Sequence, residues 1–140
     1  MSISALVYKN RSLSQDDRAR IGSKDLDTGQ PLLRAGDTYY SQFAAKELFI
    51  GNLLSVAALR RELEQNAPEM SKSIREFVLS NGTLVSVAIS EPNVSRIASE
   101  CSDLLDVKRF NLSEYLRNFL TDLNDMAKIA LNENSPIVLV

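Results

Sequence analysis

The chain has 140 residues, the size of one globular domain, with 44% hydrophobic and 24% charged residues. Sixteen basic against 18 acidic residues leave a formal net charge of −2, so the basic excess of a typical nucleic-acid binder is missing. Histidine is absent and Cys101 is the only cysteine, which excludes Ser-His-Asp and Cys-His catalysis, His-containing metal sites and any intramolecular disulfide.

A lone cysteine fits a reducing compartment. Met1 to Val7 lacks the basic and long apolar regions of a signal peptide. No apolar run approaches the ~20 residues that span a bilayer. The expectation is a cytoplasmic protein forming a single domain over residues 1–140, with no membrane or nucleic-acid partner.

Ile3 to Lys9 predicts a first strand, with Ile3, Ala5 and Val7 on one face. Ser14-Gln15-Asp16-Asp17 predicts a short helical turn capped by Ser14. Asp27-Thr28-Gly29 is a turn signal, because Gly supplies the positive φ of a tight turn. Its flanks, Ile21-Gly22-Ser23-Lys24 and Pro31-Leu32-Leu33, predict a small hairpin that Pro31 confines to an edge.

Ala35-Gly36-Asp37-Thr38 is a second turn, followed by Tyr39, Tyr40 and Phe43. These aromatics anchor a loop on the core or form a contact surface of the kind enriched at interface hot spots. Ala44 to Ile50 is expected to be helical, either as a separate helix or running on into the helix that begins near Leu53. Gly in a helix interior costs ~1 kcal/mol, so a break at Gly51 is favoured. Leu53 to Leu63 predicts a helix capped by Asn52, with Leu53, Val56, Ala57, Leu59 and Leu63 on one face.

Ile74 to Leu79 and Thr83 to Ile89 flank Ser80-Asn81-Gly82. Asn-Gly between apolar runs predicts a hairpin, expected at the middle of the sheet. Helical spacing of Ser71, Ile74, Phe77 and Val78 keeps a helix over Met70 to Leu79 as the alternative. Glu91-Pro92 opens a further helix, with Val94, Ile97, Ala98, Cys101, Leu104 and Leu105 as its apolar stripe. On that stripe Cys101 is a core residue more readily than a nucleophile.

Phe110 to Val140 is the most regular stretch. Asn111 as cap, Glu114 three residues on, and Phe110 with Tyr115 as staple predict a helix start. From Leu112 to Leu131 the apolar residues cover an arc of about 160°, with Ile129 alone on the polar face. Asn132 and Asn134 end the helix and Pro136 blocks its continuation. Ile137-Val138-Leu139-Val140 suits a strand covered on both faces, placed beside the first strand. The fold class expected is α+β, a mixed α/β sandwich. Its central sheet has about four to five strands, including both terminal ones, with three to four helices packed on it.

No glycine-rich phosphate loop occurs. The carboxylate pairs Asp16-Asp17, Asp25/Asp27, Glu62/Glu64, Asp103/Asp106 and Asp122/Asp125 read as solvated charge. A metal or glycosidase site would need acids brought together from distant segments.

Four stretches resemble a family of small bacterial immunity proteins that accompany polymorphic or contact-dependent growth-inhibition toxins. They are Val7-Tyr8-Lys9-Asn10, Gly51-Asn52, Leu59-Arg60-Arg61-Glu62-Leu63 and Asn134-Ser135-Pro136-Ile137-Val138-Leu139-Val140. The resemblance implies a non-enzymatic protein without cofactor or metal, which binds a cognate toxin C-terminal domain and blocks its active site. It supplies no catalytic residues. Loop position and residue type nominate Asp25, Asp27, Asp37, Tyr39 and Tyr40 as partner contacts. The alternatives are a small carboxylate- or metal-dependent enzyme and an oligomeric regulatory subunit.

Overall fold

A computed structural model describes residues 2–33, 41–80, 87–106 and 111–140. The first strand, β1 (Ser2–Tyr8), alternates as its sequence dictates: Ile3, Ala5 and Val7 are buried, while Ser2, Ser4 and Leu6 face the other way. It is an inner strand. One edge pairs with β4 (Ala44–Asn52) and the other with β6 (Ile137–Leu139), and β5 (Val87–Ile89) pairs with β6. The order is β4-β1-β6-β5, every pair antiparallel. The two ends of the chain are therefore neighbours, with Ser4 and Val140 exchanging backbone hydrogen bonds of 3.0 and 2.9 Å. Ile137 and Val138 are both buried, as an inner strand without alternation requires.

Between β1 and β4, α1 (Gln15–Arg20) leads into a separate two-stranded ribbon, β2 (Ile21–Lys24) with β3 (Pro31–Leu33). Ser14 caps α1 by accepting from the Asp17 N–H at 3.1 Å. Gly29 turns the ribbon at φ 73°, the left-handed region its sequence signal predicts.

The expected helix over Ala44 to Ile50 is instead strand β4. Ala, Lys, Glu and Leu are good helix formers, but pairing with β1 along its whole length overrides that local preference. A bulge at Ile50 brings Gly51 to φ 137°. A Cβ on Gly51 would lie 2.7 Å from the Ser55 Cβ, so the tight passage from β4 into α2 (Leu53–Asn66) excludes any side chain there. Asn52 caps α2, accepting from the Ser55 N–H at 2.9 Å. Val56, Leu59 and Leu63 are buried. Leu53 and Ala57, expected on the same face, are exposed.

The predicted hairpin over Ile74 to Ile89 is also corrected. Ile74–Val78 is a π-helical turn, closed by a Leu79 N–H bond to the Ile74 carbonyl at 3.0 Å. Ile74 and Val78 enter the core with helical spacing. Glu100 takes the free N–H groups of Ser73 and Ile74 at 2.9 and 3.1 Å, which fixes the segment as helix. β5 finds its partner in β6 and lies at the edge of the sheet. The Asn81-Gly82 turn lies outside the described residues.

In α3 (Asn93–Asp106), Val94, Ile97, Cys101 and Leu104 are buried as predicted. In α4 (Glu114–Glu133), Leu116, Phe119, Leu120, Leu123, Met126, Ala127 and Ala130 are buried. Tyr115 and Leu131 bound that arc and are exposed. Ile129 is partly buried and packs on the core, a second contact on the polar face. The predicted Asn111 cap is wrong by two residues. Ser113 is the cap, in extended conformation, and its hydroxyl accepts from the Leu116 N–H at 3.2 Å. Phe110, the expected staple, lies outside the described residues. At the other end Asn134 adopts the left-handed conformation at φ 53° and closes the helix against the Ala130 and Leu131 carbonyls.

The fold is thus mixed α+β. α2, the π-helical turn, α3 and α4 share one apolar cluster with Ile3, Ala5, Val7, Ile50, Ile89 and Ile137 from the sheet. No helix among the described residues is long and apolar enough to cross a membrane.

Candidate partner-binding surface

Of the five nominated contacts, the structure places Asp25 and Asp27 together at the tip of the β2–β3 ribbon. Asp37, Tyr39 and Tyr40 lie outside the described residues. The tip is tightly organised from its own backbone. One Asp25 carboxylate oxygen accepts from the Asp27 and Thr28 N–H groups, both at 2.9 Å. The Gly29 N–H donates to the Asp25 carbonyl and the Asp25 N–H to the Gln30 carbonyl, again at 2.9 Å. The Thr28 hydroxyl accepts from the Gln30 N–H at 3.1 Å. The Thr28 and Asp27 N–H groups hold the Asp25 carboxyl below the usual carboxylate range.

These bonds fix the turn and leave Leu26 pointing away from the protein. Its exposure is 100%. A scattered surface leucine is ordinary. Here it crowns a hydrogen-bonded turn between two exposed acids, so the surface offers an apolar knob with a negative rim. Sequence inspection nominated the two acids and missed the leucine between them. The signal was present, since a turn held by Asp25 and Gly29 has no interior for Leu26.

Behind the tip, a polar cluster joins the ribbon to the sandwich. Glu133, only 7% exposed, accepts from the Asn10 and Ser12 N–H groups at 2.8 and 2.9 Å. Burial pushes the Glu133 carboxyl up. The bonds from Ser12, Asn10 and Arg11 outweigh it and hold the group below its ordinary value. Lys24 donates to the Asn10 side-chain oxygen at 2.5 Å. Burial and the Arg18 charge lower the Lys24 pKa, with Glu133 partly offsetting them.

Further exposed apolar side chains occur around the passage from β4 into α2. Phe49 is 69% and Leu54 80% exposed, and Leu53 and Tyr115 are about half exposed beside them in sequence or space. The Tyr115 hydroxyl reaches the Ile50 carbonyl at 3.4 Å. Phe49 sits opposite Ser4, which pairs with Val140 on its other side, so Phe49 and Val140 flank one position on the outer face of the sheet. Taking Ala44 to Ile50 as helix concealed this face, because only strand alternation turns Glu47 and Phe49 outward.

A polar depression of about 400 Å³ lies between α2 and the π-helical turn, lined by Arg60, Pro68, Glu69, Lys72, Arg75 and Glu76. Arg60 contacts Glu64 at 3.3 Å. Arg75 donates to the Ser71 hydroxyl and the Pro68 carbonyl at 2.9 and 2.5 Å. That places its cation at the C-terminal end of α2, a structural use. Among the described residues no three acids, cysteines or histidines converge to hold a metal ion. Cys101 is fully buried, and burial together with the Glu100 charge pushes its thiol far up. No family model matches the chain, and neither a curated protein nor a solved structure matches it significantly.

Proposed function

We propose that this chain is an immunity-type protein, acting in the cytoplasm, that binds a cognate bacterial toxin domain and neutralises it by covering its active site. One observation carries the proposal: Leu26, fully exposed on a turn that its own hydrogen bonds already fix. A contact element that is ordered before it binds loses little entropy on binding. The acids beside Leu26 select a partner socket with an apolar floor and a basic rim, and they favour correctly oriented encounters. The resemblance of four stretches to immunity proteins supports the same reading.

The test is co-expression with the C-terminal toxin domain encoded by the gene immediately upstream. The expected result is a copurifying complex and rescue of growth, with both weakened at least tenfold by Leu26→Ala combined with Asp27→Asn. Lack of binding and of protection would reject the proposal. So would a measured turnover by this chain on any substrate.

A further inference from the structure

We infer that Asn10 is the positioning residue that seats residues 14–33 on the sandwich as one arm, and so sets where the Leu26 turn points. All four polar groups of Asn10 are used, and each reaches a different place. Its backbone N–H donates to Glu133 at 2.8 Å and its side-chain amide to the Asn134 carbonyl at 3.4 Å, both at the end of α4. Its carbonyl accepts from Arg18 of α1 at 3.1 Å, and its side-chain oxygen from Lys24 of β2 at 2.5 Å. Two bonds grip the sandwich and two grip the arm.

Among the described side chains of the arm, apolar packing is thin by comparison. α1 buries no residue and neither does β2, while Leu26 and Leu32 face solvent. Leu13 and Pro31 are buried, and Gly29 lies against Pro136, where a Cβ would come to 3.5 Å. Among the described side chains, then, Asn10 gathers polar bonds to both the arm and the end of α4. Polar bonds of this kind are directional, so they fix orientation more sharply than a few apolar contacts do. A two-stranded ribbon is marginal by itself in water. Its internal hydrogen bonds therefore report whether it is seated.

The consequence for partner binding rests on the proposed immunity function; the seating does not. Amide hydrogen exchange of the free protein separates the two. In Asn10→Ala the Lys24 and Asn134 bonds are lost. Amides of the arm, such as Arg18, Asp25 and Gly29, are expected to exchange about five- to tenfold faster, with the β1–β4 and β1–β6 ladders unchanged. Lys24→Met removes the arm-side bond and leaves the grip on α4, so it serves if Asn10→Ala does not fold, and it should accelerate the same amides. Unchanged arm amides in a folded variant, or acceleration spread evenly over the sheet, would overturn the inference. A loosened arm in a protein that binds no toxin domain would leave the inference standing and remove the function.

Discussion

Glu62 in α2 and Ser113 just ahead of α4, 51 residues apart, complete one helix cap between them. The Ser113 hydroxyl accepts from the Leu116 N–H, the usual half of a capping box. The other half, a carboxylate on the cap residue's own N–H, comes from Glu62 of α2 at 2.6 Å, and a second Glu62 oxygen accepts from the Ser113 hydroxyl at 2.6 Å. The position three residues into α4, where a glutamate would normally supply it, is Leu116, which is buried. A double-mutant cycle should show the division. Ser113→Ala is expected to cost about 1–2 kcal/mol and Glu62→Ala about 1 kcal/mol. In urea unfolding the pair should couple by about 1 kcal/mol. Simple additivity would mean the two act separately.

Gly51 should tolerate no side chain. Both its φ of 137° and the 2.7 Å approach to the Ser55 Cβ oppose one. Gly51→Ala is expected to destabilise by about 2 kcal/mol or more, seen as a lower urea midpoint. Gly51→Ala with Ser55→Gly should recover the part due to the clash and keep the part due to φ.

Glu133 predicts a specific acid response. Its folded pKa lies below the ordinary glutamate value, so the stability it contributes is fully present above the unfolded pKa. That stability is lost as pH falls through the folded pKa. With glutamate near 4.3 when unfolded, the advantage of the native protein over Glu133→Gln is expected at neutral pH, at about 1–2 kcal/mol. It should shrink progressively below roughly pH 4. Thermal melts of both proteins across pH 3 to 7 measure it, and a gap independent of pH would assign the contribution to packing.

Leu26 and Leu123 should separate recognition from folding. Leu123 is fully buried in α4 and Leu26 fully exposed. Leu123→Ala is expected to cost about 2–5 kcal/mol, whereas Leu26→Ala should leave the unfolding midpoint within about 0.5 kcal/mol of native. A large stability loss from Leu26→Ala would show that the turn packs against the protein after all.

Elements whose instructions lie within a turn or two of chain were legible in the sequence. Asn52 and Ser14 cap helices through N–H groups three residues away. The apolar rows of α3 and α4 are one helix face each, and Gly29 supplies the φ its turn needs. Their physics is local, so spacing states it. Tertiary structure alone decided the rest. Ala44 to Ile50 has the composition of a helix and is a strand because β1 offers it hydrogen bonds along its length. Ile74 to Val78 looks equally like a strand and is helical, its first N–H groups held by Glu100. Ser113 caps α4 where Asn111 was expected, its own N–H taken by Glu62. At the candidate site, the acids at the tip were legible, while Glu133 and Asn10, which join it to the sandwich, are 123 residues apart and came together only in the fold. In each case the deciding partner is a backbone edge or a carboxylate brought from a distant segment, which local periodicity cannot see, and the backbone groups it satisfies have no partner within their own turn.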